Sequence, residues 1–195
     1  DRQALIDFLS DYDARLTHGP KTIEFEKRWA QWLGIKHAVF VNSGASANDI
    51  SMLIVKELFG YGDVIVPPLT WVSDVASILH AGLNPIFVDI DKKNLALDPK
   101  LVKQSINQNT KAVFLTHILG LNGLSEDLME VFLDGNVALI EDVCESHGAT
   151  WKNRKLGTYG TLSNFSFYYA HHLTTIEGGM ICTNSDEVYD LARMY

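Results

Sequence analysis

The run FSFYYAHHLTTIEGGM, residues 165–180, brings two imidazoles, several hydroxyls and a carboxylate up to a Gly-Gly turn. Alternating aromatic and small polar residues at 165–169 read as a half-buried strand that carries His171 and His172 into a loop closing on Glu177, Gly178 and Gly179. Residues 180–183 then leave as a second short strand. Imidazoles and hydroxyls at a strand end are costly to bury without partners, so the loop is expected to face a cavity holding something polar. Neighbours in sequence rarely aim at one target, so one of the two histidines is expected to be a hydrogen-bonded structural residue. No carboxylate or thiol stands at a familiar ligand spacing from the pair, and no metal site is predicted.

Short apolar strands alternate with helices in the stretch that positions this loop. Helices are expected at 2–16, 22–33, 45–59, 71–80, 98–106, 125–133 and 185–195, and strands at 38–41, 64–66, 85–89, 112–116 and 137–141. Strands separated by helices at this spacing predict an α/β fold with a mainly parallel sheet and helices on both faces. Residues 1–37 read as an N-terminal helical segment packing on the main domain, and 38–195 as one domain without repeat or linker. The last helix has a cap at Ser185 but no Gly, Asn or Pro to stop it, which predicts a further C-terminal segment.

In open parallel sheets ligands gather beyond the carboxyl ends of the strands, so the residues just after each strand are candidates. Ser43-Gly44-Ala45-Ser46 opens a helix directly after a strand, where free N–H groups and the helix dipole suit a phosphate; an ordinary serine cap is the other reading. Trp71 either lies flat against an aromatic ligand or belongs to the core. Asp142 ends a buried strand, where a carboxylate needs a partner such as a protonated ring nitrogen; it could equally cap the next turn. A phosphate seat, a flat aromatic and a carboxylate for a pyridinium nitrogen together describe a pyridoxal phosphate site.

The composition agrees with such an enzyme. The 195 residues, 47% of them hydrophobic, suffice for a sizeable core, and a net charge of −8 argues against nucleic acid or an anionic membrane as partner. Cys144 and Cys182 are too far apart for a metal knuckle and suggest no disulfide framework, which fits a reducing cytoplasm. No apolar run approaches the roughly 20 residues of a membrane span.

The segments GPKTIEFEKRWAQWLGIKHAVFVNSGASAN, VIVPPLTWVS, AGLNPIFVDID, LIEDVCESHGATWKNRKLGTYG and NFSFYYAHHLTTIEGGM, in this order and spacing, resemble the DegT-like sugar aminotransferases and dehydratases. The resemblance covers essentially the whole chain. It implies the large domain of the aspartate aminotransferase-like fold (PLP fold type I), with the small C-terminal domain absent from this chain, and a homodimer with its two sites at the subunit interface. It places the backbone of Gly44 and Ala45 on the cofactor phosphate with Ser166 as a second phosphate ligand. Trp71 then covers one ring face, Asp142 meets the ring nitrogen and Glu145 lies near the ring hydroxyl.

One departure decides the branch. Where the family's aminotransferases carry the lysine that holds the cofactor covalently, this chain has His171, and no lysine follows Lys155. A histidine there, followed by another, resembles the sugar 3-dehydratase branch. The cofactor then works as non-covalent pyridoxamine phosphate on the C4 ketone of a nucleotide-linked 4-keto-6-deoxy sugar, GDP-4-keto-6-deoxymannose by resemblance. His171 is the expected base, because neutral imidazole with a pKa near about 6.5 can take a proton from the cofactor's C4′ carbon. Loss of the C3 hydroxyl and hydrolysis would release a 4-keto-3,6-dideoxy sugar and ammonia, with glutamate as amino donor restoring the cofactor. His172 is expected to pack or orient, while His117 and His147 sit at strand ends from which either could approach the sugar. Three readings compete: a nucleotide-sugar aminotransferase, an iron-sulfur-dependent CDP-sugar 3-dehydratase, and a non-catalytic regulator that binds sugar nucleotides.

Overall fold

Apolar residues on both faces of most strands require cover on both sides, and the chain supplies it with helices. A computed structural model describes residues 2–195. Its elements run α1 (Arg2–Ser10), α2 (Pro20–Leu33), β1 (His37–Val41), α3 (Gly44–Phe59), β2 (Asp63–Val66), α4 (Val72–His80), β3 (Asn84–Phe87), α5 (Pro99–Ser105), β4 (Thr110–Thr116) and α6 (Glu126–Met129). After these come β5 (Ala138–Asp142), β6 (Thr150–Trp151), β7 (Arg154–Lys155), β8 (Leu162–Ser166), β9 (Gly179–Thr183) and α7 (Asp186–Met194).

Seven strands form one sheet in the order β1-β9-β8-β5-β4-β2-β3, with β6 and β7 apart as a small hairpin. Only β9 runs against its neighbours: it pairs antiparallel with β1 and β8, while β8, β5, β4, β2 and β3 pair in parallel. One core lies between the sheet and α2, α5 and α6, built on Trp29, Leu33, Val102, Leu128, Phe165 and Phe167. The other lies under α3, α4 and α7, around Met52, Ile54, Ile78 and Val188. The fold is therefore the expected α/β sandwich with a mainly parallel sheet.

Four local expectations change. The strand expected at 165–169 lies earlier, as β8 at 162–166, and is buried together with Phe167 because α2 and α3 cover its opposite faces, while Tyr168 and Tyr169 lie beyond it and are exposed. Helix α1 stops at Ser10 instead of reaching residue 16 and buries no residue, so of the two N-terminal helices only α2 packs into the core. The helix expected at 125–133 is a single α-turn continued by the 3-10 turn Glu130–Phe132. The hairpin of β6 and β7 was not expected; it turns on Lys152 and Asn153, both at positive φ (45° and 63°).

Candidate active site

Helix α3 begins immediately beyond β1, and Ser43 caps it: its Oγ accepts the Ser46 N–H at 3.0 Å, an interaction worth about 1 kcal/mol. The serine-cap reading is thus correct, and it is compatible with anion binding, because the first-turn N–H groups of Gly44 and Ala45 have no helical acceptor. Ser166, at the end of β8, closes the other side. A Cβ on Gly44 would lie 2.7 Å from the Ser166 Cβ and 3.1 Å from its Oγ, so only glycine permits this approach.

These residues line a cavity of about 960 Å³ at the carboxyl ends of the parallel strands. Gly44, Ala45, Trp71, Asp142, Glu145, Ser166 and His171 all contribute to its wall. Trp71 is 70% exposed at the N-cap of α4, one residue ahead of the helix expected to include it, so it is not a core residue. Asp142 is buried, and its Oδ1 accepts the Cys144 N–H at 2.8 Å. The turn reading of this aspartate therefore holds too, with the carboxylate on the cavity wall. Glu145 Oε2 accepts the Leu119 N–H at 3.0 Å.

His171 stands three residues beyond the tyrosine whose carbonyl accepts its N–H, Tyr168, at 3.0 Å. Burial lowers its pKa below the ordinary histidine value, opposed by the negative charges of Glu145 and Asp142. His171 is therefore largely neutral at pH 7 and can accept a proton. His172 also lines the cavity but is exposed.

The two other candidate histidines, His117 and His147, do not line the cavity. His117 is fully buried; its Nδ1 accepts the Gly123 N–H at 3.1 Å, which leaves Nε2 to donate to Glu141 at 3.2 Å. Glu141 also accepts the N–H groups of Gly157, Tyr159 and Gly160, so the pair ties β4 and β5 to the chain leading into β8. His147 packs edge-on to Trp29, Phe165 and Phe167, with both ring nitrogens buried and unpartnered. Burial, with His172 and His171 nearby, holds its pKa down to about 4.

The cavity also contains Thr70 and Thr116, which lie in the strand-end segments 67–71 and 116–117 where ligands were expected, and three residues that sequence reasoning missed: Asn48, Ser73 and Tyr168. Tyr168 sits three residues before His171, a usable signal; Asn48 lies a turn inside α3, and its side chain gave none.

A model of the DegT/DnrJ/EryC1/StrS aminotransferase family matches residues 3–195. The chain belongs to this family. GDP-4-keto-6-deoxy-D-mannose 3-dehydratase of Yersinia pseudotuberculosis is 35% identical over 180 residues, covering 90% of this chain and 46% of the relative. GDP-perosamine synthase of Caulobacter vibrioides is 37% identical over 173 residues, covering 88% of this chain and 46% of that one. Among solved structures, E. coli GDP-4-keto-6-deoxy-D-mannose-3-dehydratase with bound hydrated PLP superposes with a TM-score of 0.90 at 31% identity, over 98% of this chain and 51% of its own. The chain spans about half the length of the curated relatives it matches.

Membership makes pyridoxal phosphate the cofactor, and the residues present fit it. The close approach of Gly44 to Ser166 sets backbone N–H donors beside a hydroxyl, a donor set that suits a phosphate, and Asp142 forms no ion pair among the described residues. Among the described residues no helix is long and apolar enough to cross a membrane, and no group of three or more His, Cys, Asp or Glu is placed to hold a metal.

Proposed function

We propose that the chain carries the cofactor site of a nucleotide-sugar 3-dehydratase. The observation behind this reading is that His171 lines a cavity with no lysine among its lining residues. Pyridoxamine phosphate, when bound, supplies an amine for a sugar ketone and a sink for the electrons that expel the neighbouring hydroxyl. The protein's own residues do the rest. Gly44, Ala45 and Ser166 hold the phosphate, Trp71 covers one ring face, Asp142 pairs with the ring nitrogen and Glu145 lies by the ring hydroxyl. His171, neutral at pH 7, takes the proton at the cofactor's C4′ carbon. An imidazole is shorter and less basic than a lysine amine, so returning that proton to the sugar is disfavoured and elimination prevails.

The substrate in this reading is GDP-4-keto-6-deoxymannose, with glutamate as amino donor, in a cytoplasmic homodimer. Each turnover removes the C3 hydroxyl, oxidises glutamate to 2-oxoglutarate and releases ammonia. The 37% identity to a GDP-perosamine synthase favours a second reading, transfer of the amine to the sugar.

One experiment separates the two. The full-length protein is incubated with pyridoxal phosphate, glutamate and GDP-4-keto-6-deoxymannose, and products are followed by mass spectrometry and ammonia release. A keto sugar lacking one oxygen, with ammonia, is expected; an amino sugar without ammonia would replace the dehydratase with an aminotransferase.

A further inference from the structure

Asp74, in the first turn of α4, is fully buried at 0% exposure and has no part in the scheme above. Its Oδ1 accepts Asn48 Nδ2 at 2.8 Å, and its Oδ2 accepts the hydroxyls of Thr116 at 2.9 Å and of Thr70. All three partners are neutral, and all three line the cavity. Thr116, bonded to Asp74, is also the register partner of Asp142 across β4 and β5, so the two carboxylates approach each other around one threonine.

Besides Asp142, the titratable groups on this cavity are the Cys144 thiol, which burial and Asp142 hold in its neutral form, and Glu145, Tyr168, His171, His172 and Glu177. At the far end of α4, His80 meets Asp49 at the surface. Two carboxylates thus adjoin at the floor of the cavity with no bonded cation. Burial and the charge of Asp142 push the Asp74 carboxyl well above the usual range. Like charges at such separation do not both ionise.

We propose that Asp74 is a positioning residue that carries the single proton of an Asp74–Asp142 pair, leaving Asp142 as the one fixed negative charge offered to the cofactor's ring nitrogen. The proposal rests on the assignment of Asp142 above. With the ring nitrogen protonated, the buried charge then sums to zero; an ionised Asp74 would leave an excess negative charge on a carboxylate fully shielded from solvent.

The folded pKa of Asp74 exceeds its unfolded value, so its contribution is favourable at low pH and is lost as pH rises from about 4 through the folded pKa. Asp74→Asn cannot ionise and escapes this loss.

The full-length protein is unfolded with urea between pH 4 and pH 8, without cofactor, as wild type, Asp74→Asn, Asp142→Asn and the double variant. The unfolding constant of the wild type relative to Asp74→Asn is expected to rise with pH by up to about tenfold per unit until the folded pKa is passed. In the Asp142→Asn background the rise is expected to end at lower pH. A ratio independent of pH overturns the proposal, as does a rise unaffected by removing Asp142. An infrared band of a protonated carboxyl at pH 7 in the folded wild type, absent from Asp74→Asn, tests the same proton without unfolding; its absence from the wild type also overturns the proposal. Titration with pyridoxamine phosphate keeps the two assignments separable: if Asp142→Asn binds it as tightly as wild type, the cofactor reading fails whatever the unfolding data show.

Discussion

The first residue of β9, Gly179, lies against Ser43 so closely that a Cβ there would overlap the Ser43 carbonyl and come within 2.8 Å of the Gly44 nitrogen. The strand that leaves the histidine loop therefore presses directly on the turn proposed to hold phosphate. Gly179→Ala has to move backbone at that turn, and a loss of about 1–3 kcal/mol in stability is expected from the overpacking. Urea unfolding measures it, and a parallel titration with pyridoxal phosphate should show weakened binding. Wild-type affinity in the variant would mean that the turn does not hold the cofactor.

Asp142→Asn separates charge from shape. The asparagine oxygen can still accept the Cys144 N–H, so the turn after β5 is expected to survive. What is lost is a charge-assisted bond worth about 1.5–3 kcal/mol, which corresponds to roughly 10- to 100-fold in cofactor affinity. Equilibrium titration followed by absorbance checks this, with circular dichroism to confirm the fold.

His171 must be neutral to act as a base, so activity is expected to fall as pH drops through its pKa. Burial places that acid limb below the ordinary histidine value. Glu145→Gln removes a charge that favours the protonated ring and should move the limb to still lower pH. His171→Asn is expected to cost about 10²- to 10⁴-fold in rate. His171→Lys is expected to lose dehydration and attach the cofactor covalently, visible as a shifted absorbance. Undiminished dehydration without attachment would remove His171 from its role.

His147 gives a separate signal in stability. Its pKa falls to about 4 in the folded protein, below the unfolded value near 6.5. The unfolded chain therefore binds more protons between pH 6.5 and pH 4, and stability is lost as pH falls through that window, by on the order of 3 kcal/mol. In His147→Phe, which suits the surrounding rings, the loss across the window should be shallower. Denaturation midpoints at pH 7 and pH 4.5 test this.

The parallel sheet and much of the cavity wall were legible because candidates sit where a short apolar run stops, as Asp142 does at the end of β5 and Ser43 after β1. Hydrophobic period and turn residues carry that information locally. The burial of β8 was not legible, because the serines and asparagine of LSNFS look like a solvent face; in the fold Ser163 bonds the Gly157 carbonyl and Asn164 bonds Ser51 and Asn48. Asp74 was hidden for a similar reason. An acidic residue in a first helical turn is usual at a surface, and only the approach of β4 and β5 makes this one buried. The hairpin of β6 and β7 escaped because two-residue strands are too short to show a period.

The place of β1 in the sheet has a consequence for biosynthesis. Its only strand neighbour is β9, and the pairing joins His37 to Thr183 at opposite ends of the chain. At ribosomal speeds of about 5–20 residues per second, β1 waits on the order of ten seconds for its partner to be made. Through that interval the nascent chain exposes the apolar segment HAVFV with both edges open, a natural client for a chaperone. The turn from Ser43 to Ser46 cannot be anchored between β1 and β8 until β9 arrives, so the phosphate seat proposed there does not form until residues 179–183 have been made.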